Sequence, residues 1–172
     1  MTTPSTLSWI EPILERFERP LIQYATSIAG TEDRARDIVQ DTFLRLAQQG
    51  PLEPERLAPW LYTVCRNRAI DLKRKENRIV AMNEDSHPEP ASSEPSPAAR
   101  LEAKEQADCL GRLLLRLPEN QREVLRLRFQ CDLSYREISE ITQLGEGNVG
   151  FLLHTGIKTL RQLWPHPLEV RP

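Results

Sequence analysis

ARDIVQDTFLRL, residues 35–46, and PWLYTVCRNRAIDLKRKENR, residues 59–78, decide how this chain folds. In the first stretch Ala35, Ile38, Val39, Phe43 and Leu46 recur at helical spacing and form one apolar stripe, leaving Arg36, Asp37, Gln40, Asp41, Leu44 and Arg45 on the opposite face. In the second, Leu57, Leu61, Val64, Ala69 and Leu72 are expected inward and Arg66, Arg68, Lys73, Arg74, Lys75 and Arg78 outward. Residues 56–78 hold seven Lys or Arg against Asp71 and Glu76, so that 7 − 2 leaves +5 on one helix. A basic stripe of this kind suits phosphate, and it is local, because the whole chain is slightly acidic at −2.

Working outward, Gly and Pro punctuate the amino-terminal part at Pro20, Gly30 and the cluster Gly50-Pro51-Leu52-Glu53-Pro54. The periodicity predicts helices near 8–18, 20–29, 32–48 and 57–77, with Thr31 as the cap of the third and Glu32 and Asp33 at the positive end of its dipole. Residues 79–99 hold four prolines, four serines and four carboxylates and no Lys or Arg, the composition of an extended linker. Helical spacing resumes at Arg100, pauses at Leu117-Pro118 and continues through Phe129. Ser134-Tyr-Arg-Glu137 has the form of a capping box for a short helix to about Thr142, and a final helix is predicted from Glu146 to about Trp164. This tail reads as a helix-turn-helix with Ile138, Ile141, Leu144, Val149, Leu153 and Leu160 as its small core. No strand pattern competes, so the fold expected is all-α, two small helical domains joined by a flexible linker, divided at 1–78, 79–100 and 101–172.

Composition excludes several function classes. Cys65, Cys109 and Cys131 are odd in number and widely separated, and His87, His154 and His166 stand at no metal-ligand spacing near them, so reduced, mostly buried thiols are expected and no metal or other cofactor. An enzyme acting on nucleic acid would need clustered carboxylates or His and Cys ligands, and the pair Asp37 and Asp41 has no metal-binding neighbour in sequence. No apolar run approaches the roughly 18 residues of a membrane span, and MTTPSTLSW lacks the regions of a signal peptide, so a cytoplasmic chain without membrane insertion is expected.

DIVQDTF and WLYTVCRNRAIDLKRK, in that order and upstream of a helix-turn-helix, resemble the bacterial RNA polymerase sigma factors of the extracytoplasmic-function subfamily. The resemblance spans roughly 20–78 and 112–163. It implies region 2 and region 4 domains, a protein that binds core RNA polymerase and directs promoter-specific initiation, and no catalysis. Its partners would be the clamp helices of the largest polymerase subunit, the flap, promoter DNA and an anti-sigma factor. By the same resemblance Asp37, Gln40 and Asp41 dock on the clamp, where carboxylates and an amide suit a releasable interface. Asn67 lies where relatives read an extruded base of the minus-10 element, with Arg66, Lys73 and Arg74 on the backbone. Trp60 and Tyr62 are candidates to stack on bases, Trp60 being the better fit to the core.

With Glu146 to Gln162 as the recognition helix, the resemblance places Arg136, ahead of it, and Asn148, Phe151, His154, Thr155 and Lys158, within it, at the minus-35 element. Gly150, Leu152, Thr155 and Ile157 stand where relatives usually carry basic residues, which predicts weak minus-35 contact. Gly156 is expected on the core side, as a close-packing site. The linker carboxylates Glu84, Asp85, Glu89 and Glu94 would suit a basic channel toward the polymerase active centre. The rival reading, a stand-alone helix-turn-helix regulator of duplex DNA, leaves residues 35–78 without a role.

Overall fold

The computed structural model describes residues 8–82 and 99–164. The described residues form seven helices and no strand: α1 (Glu11–Ala29), α2 (Glu32–Gln49), α3 (Pro54–Met82), α4 (Ala99–Leu115), α5 (Glu119–Phe129), α6 (Tyr135–Thr142) and α7 (Glu146–Leu163). The chain divides into two compact units, one built on α1 to α3 and one holding α4, α5, α7 and the start of α6.

In the first unit the two helices expected on either side of Pro20 are one. Pro20 deletes a backbone donor inside α1, yet Phe17, Leu21, Tyr24 and Ala25 on both sides of it share one buried face, and packing carries the helix through the gap. Gly30 then ends α1 in the left-handed region, φ 87°, with its N–H donating to Thr26 O. Thr31 is the N-cap of α2 by position and extended backbone, but its hydroxyl makes no capping hydrogen bond, so only the placement of the expected cap holds. Glu32 instead pairs one turn on with the Arg36 guanidinium.

The predicted stripe of α2 is buried throughout, joined by Thr42, whose hydroxyl donates to Ile38 O at 2.8 Å and so enters the core satisfied. α3 is longer at both ends than 57–77. Pro54 occupies a first-turn position, where the missing N–H has no intrahelical partner anyway, and Ile79–Met82 continue the helix as exposed side chains instead of opening the linker. Residues 83–98, with the four linker carboxylates, lie outside the described residues. α1 packs on α2 and α3, and α2 on α3, around Leu21, Tyr24, Leu46, Leu61, Tyr62 and Cys65, all at most 1% exposed. The Tyr24 and Tyr62 rings meet edge to face, centroids 5.4 Å apart at 72°. Of the three free cysteines only Cys65 is buried; Cys109 and Cys131 are half-buried, a more open placement than expected.

In the second unit Arg122 of α5 closes the end of α4, donating to the carbonyls of Leu114 and Leu117, each at 3.0 Å, and of Leu115 at 3.2 Å. Leu114 O also accepts from the Leu117 N–H at 3.1 Å, and at this helix end, where carbonyls lack intrahelical donors, the Arg122 side chain supplies the further ones. The capping box of α6 is present: Ser134 Oγ accepts from the Glu137 N–H at 3.2 Å while the Ser134 N–H donates to Glu137 Oε2 at 2.7 Å. α5 packs against α7, and Val124, Leu127, Ile138, Val149 and Leu153 are at most 2% exposed, whereas Leu144 and Leu160 are only partly buried.

Candidate functional site

Three surfaces gather the polar residues that periodicity left outside the cores. On α2, burial of the apolar stripe turns Asp37 and Gln40 fully outward, and among the described residues neither makes a hydrogen bond or an ion pair. Leu44 shares this face at 57% exposure, an apolar side chain that water alone would not favour there. Gln40 and Leu44 also line a groove of about 420 Å³ between α1 and α2, together with Leu14, Ile22, Val39 and Phe43.

Asp41, expected beside Asp37 and Gln40 as a docking residue, has a different environment. Its Oδ2 lies 3.2 Å from Arg45 Nε and 3.4 Å from Arg68 Nε, the latter on α3. That oxygen is shielded from water and accepts no hydrogen bond, so it faces two cations without the geometry that would satisfy it. Periodicity along one helix cannot show such a pair, because Arg68 reaches Asp41 only once α2 and α3 are packed. The same holds for Arg34 of α2 with Glu76 of α3, 2.9 Å apart.

On α3, Leu61, Tyr62, Cys65 and Ala69 turn inward as one strip, while Asn67, Lys73, Arg74, Lys75 and Arg78 are exposed and Arg66 is half-buried. Asn67, Arg74 and Arg78 are seven and four residues apart and so share a face, with about 10 Å of helix axis between the first two. The amide thus heads a row of guanidinium groups. Because Arg34 pairs with Glu76, one of the two acidic residues within this run is partly offset from α2. Tyr62 is 1% exposed and held against Tyr24, which removes it from the base-stacking candidates; Trp60 is half-buried rather than a full core residue.

On α7 and the start of α6, Arg136, Asn148, Phe151, His154 and Lys158 are exposed and Thr155 is half-buried. The Thr155 hydroxyl donates to Phe151 O at 2.7 Å, one turn back along its own helix. Leu152 is only 6% exposed, so position 152 belongs to the core, and a basic side chain is not missing from the outward surface there. At Gly150 an added Cβ would lie 3.5 Å from the Tyr135 ring, an ordinary van der Waals contact, so the ring does not require a glycine there.

The family model for Sigma-70 region 2 matches residues 13–79, and that for Sigma-70, region 4 matches residues 107–160. The chain is 29% identical over 157 residues to the ECF RNA polymerase sigma factor SigM of Bacillus subtilis, covering 90% of this chain and 94% of that protein. It is 33% identical over 138 residues to the ECF RNA polymerase sigma factor RpoE of Cereibacter sphaeroides, covering 75% and 71%. Its fold is similar to that of the sigma factor RpoE in a complex with the anti-sigma factor NepR from Bartonella quintana, with a TM-score of 0.72, 23% identity, and coverage of 95% and 98%. A helix-turn-helix regulator acting alone would account for α6 and α7 but not for the region 2 match over α1 to α3. With both regions matched in order over an all-helical frame, the chain belongs to the extracytoplasmic-function RNA polymerase sigma factors, which bind core polymerase and direct promoter-specific transcription initiation.

Proposed function

We propose that α2 docks on the clamp helices of the largest polymerase subunit through Asp37 and Gln40, and that α3 captures the melted minus-10 strand. Asn67 reads a base edge while Arg66, Lys73 and Arg74 follow the backbone. The observation that carries this reading is the contrast between two neighbouring helices: α2 presents an outward carboxylate and amide with no intramolecular bond, and α3 presents an amide inside a run of exposed cations. The first suits basic and polar side chains on a partner helix, the second a polyanion with readable edges. Asp41 belongs to the same docking face, with its inner oxygen already between Arg45 and Arg68.

In the second unit, Arg136, Asn148, Phe151, His154, Thr155 and Lys158 address the minus-35 element in the major groove, and the flap of the polymerase holds this unit in place. Contact there is weak: Gly150 is bare, Ile157 is half-buried, and the Thr155 hydroxyl is spent on its own helix. The protein works in the cytoplasm as a non-catalytic initiation factor, without a cofactor; no helix among the described residues is long and apolar enough to cross a membrane. An anti-sigma factor is its regulatory partner, as NepR is for the Bartonella quintana protein.

The deciding experiment is transcription by holoenzyme reconstituted from this chain and core polymerase, on promoters with the minus-10 or the minus-35 element scrambled in turn. The reading expects loss with the first and a smaller drop with the second. Tight promoter binding by the free chain, unchanged by core polymerase, would sink it.

A further inference from the structure

Arg68 stands next to Asn67 in the basic stretch of α3 but is turned toward α2, where it faces Asp41. The hold is weak by construction. Arg68 Nε is 3.4 Å from Asp41 Oδ2, outside hydrogen-bonding geometry, and Arg45 competes for that oxygen from 3.2 Å. The shared Oδ2 is itself shielded from water, but the side chains as a whole are partly exposed, Arg68 at 42% and Asp41 at 36%, and pairs at this exposure add little stability. A long guanidinium side chain bound this loosely can change partner without disturbing the backbone, which the core residues Cys65 and Ala69 hold on either side. Asp41 in turn lies one turn from Asp37 on the outward face of α2, so the surface assigned to the polymerase includes the one carboxylate that restrains Arg68.

We propose that Arg68 is a DNA-backbone contact of the docked protein, held against α2 by Asp41 until a basic side chain of the polymerase claims that carboxylate. The inference rests on the docking and strand-capture roles given above to α2 and α3. Its logic is linkage: a cation that takes Asp41 lowers the cost of moving Arg68 to a phosphate, and a phosphate that takes Arg68 frees Asp41 for the polymerase by the same factor. Docking and strand capture then reinforce each other through two side chains, with no movement of the helices.

The test measures binding of the full chain to single-stranded oligothymidine, which carries backbone without a minus-10 sequence, as a function of salt. Each phosphate contact on a single strand adds about 0.7 to the slope of log K against log salt. For the free chain, Asp41→Asn is expected to steepen the slope by about 0.7, Arg68→Ala to leave it unchanged, and the double variant to return it to the parent value. In holoenzyme at saturating core polymerase Arg68→Ala lowers the slope by about 0.7. A gain from Asp41→Asn that survives in the double variant would show a general charge effect and overturn the proposal, as would an unaltered holoenzyme slope with Arg68→Ala. Lys73→Ala and Arg74→Ala distinguish the two levels. If these also leave the slope unchanged, strand capture by α3 fails; if they lower it and Arg68→Ala does not, only the role of Arg68 fails. Thermal midpoints of all variants, measured in parallel, report whether the fold is kept.

Discussion

Gly156 of α7 lies directly under Leu125 of α5: a Cβ at Gly156 would stand 2.9 Å from Leu125 Cδ1 and 3.6 Å from Gln121 Cβ. Helix propensity would favour alanine here by about 1 kcal/mol, so the glycine is retained for the approach of two helices. Gly156→Ala should change stability by less than about 1 kcal/mol, since the propensity gain offsets the displacement of a flexible leucine terminus. Gly156→Val should cost about 1–3 kcal/mol by overpacking. Combining it with Leu125→Ala should cost less than the sum of the single changes, because each variant makes room for the other. Chemical denaturation of the parent and the four variants checks the sign and the coupling.

Asp37→Arg with Gln40→Ala should abolish association with core polymerase and leave the thermal midpoint unchanged. Both side chains are exposed and bonded to nothing among the described residues, so the fold does not depend on them. Retention of the double variant by immobilised core at the parent level would remove these residues from the interface.

Asn67→Ala should erase preference for the minus-10 sequence, a loss of about 1–3 kcal/mol in discrimination, with little change in salt dependence. Lys73→Ala and Arg74→Ala should weaken matched and mismatched strands alike and flatten the salt dependence. Binding of holoenzyme to both strands over a salt series separates base reading from phosphate contact, and equal behaviour of the three variants would undo that division.

Ser134→Ala should destabilise the second unit by about 0.5–2 kcal/mol, because the Glu137 N–H loses its acceptor at the start of an eight-residue helix with little else to nucleate it. Arg136, in the first turn of that helix, would then be presented less firmly, so minus-35-dependent transcription should fall with stability. Amide hydrogen exchange over Tyr135–Thr142 locates the effect.

Periodicity was enough to find α2, α5, α6 and α7, to choose the buried faces of α2 and α6 with Val149 and Leu153 of α7, and to recognise the capping box, because each depends on residues three or four apart on one helix. It also left Asp37 and Gln40 on the surface, whereas the family came from the resemblance carried by DIVQDTF and WLYTVCRNRAIDLKRK upstream of the helix-turn-helix, and with it the assignment of Asn67 and the α7 residues to DNA. Tertiary structure decided what crosses from one helix to another. It carried α1 through Pro20, put Tyr62 and Leu152 in the core, extended α3 to Met82, and tied Asp41 to Arg68. A local rule prices a proline or a tyrosine by its own turn of helix; the opposing outcome comes from the apolar face those residues share with a neighbour, and from charges that meet only when the helices pack.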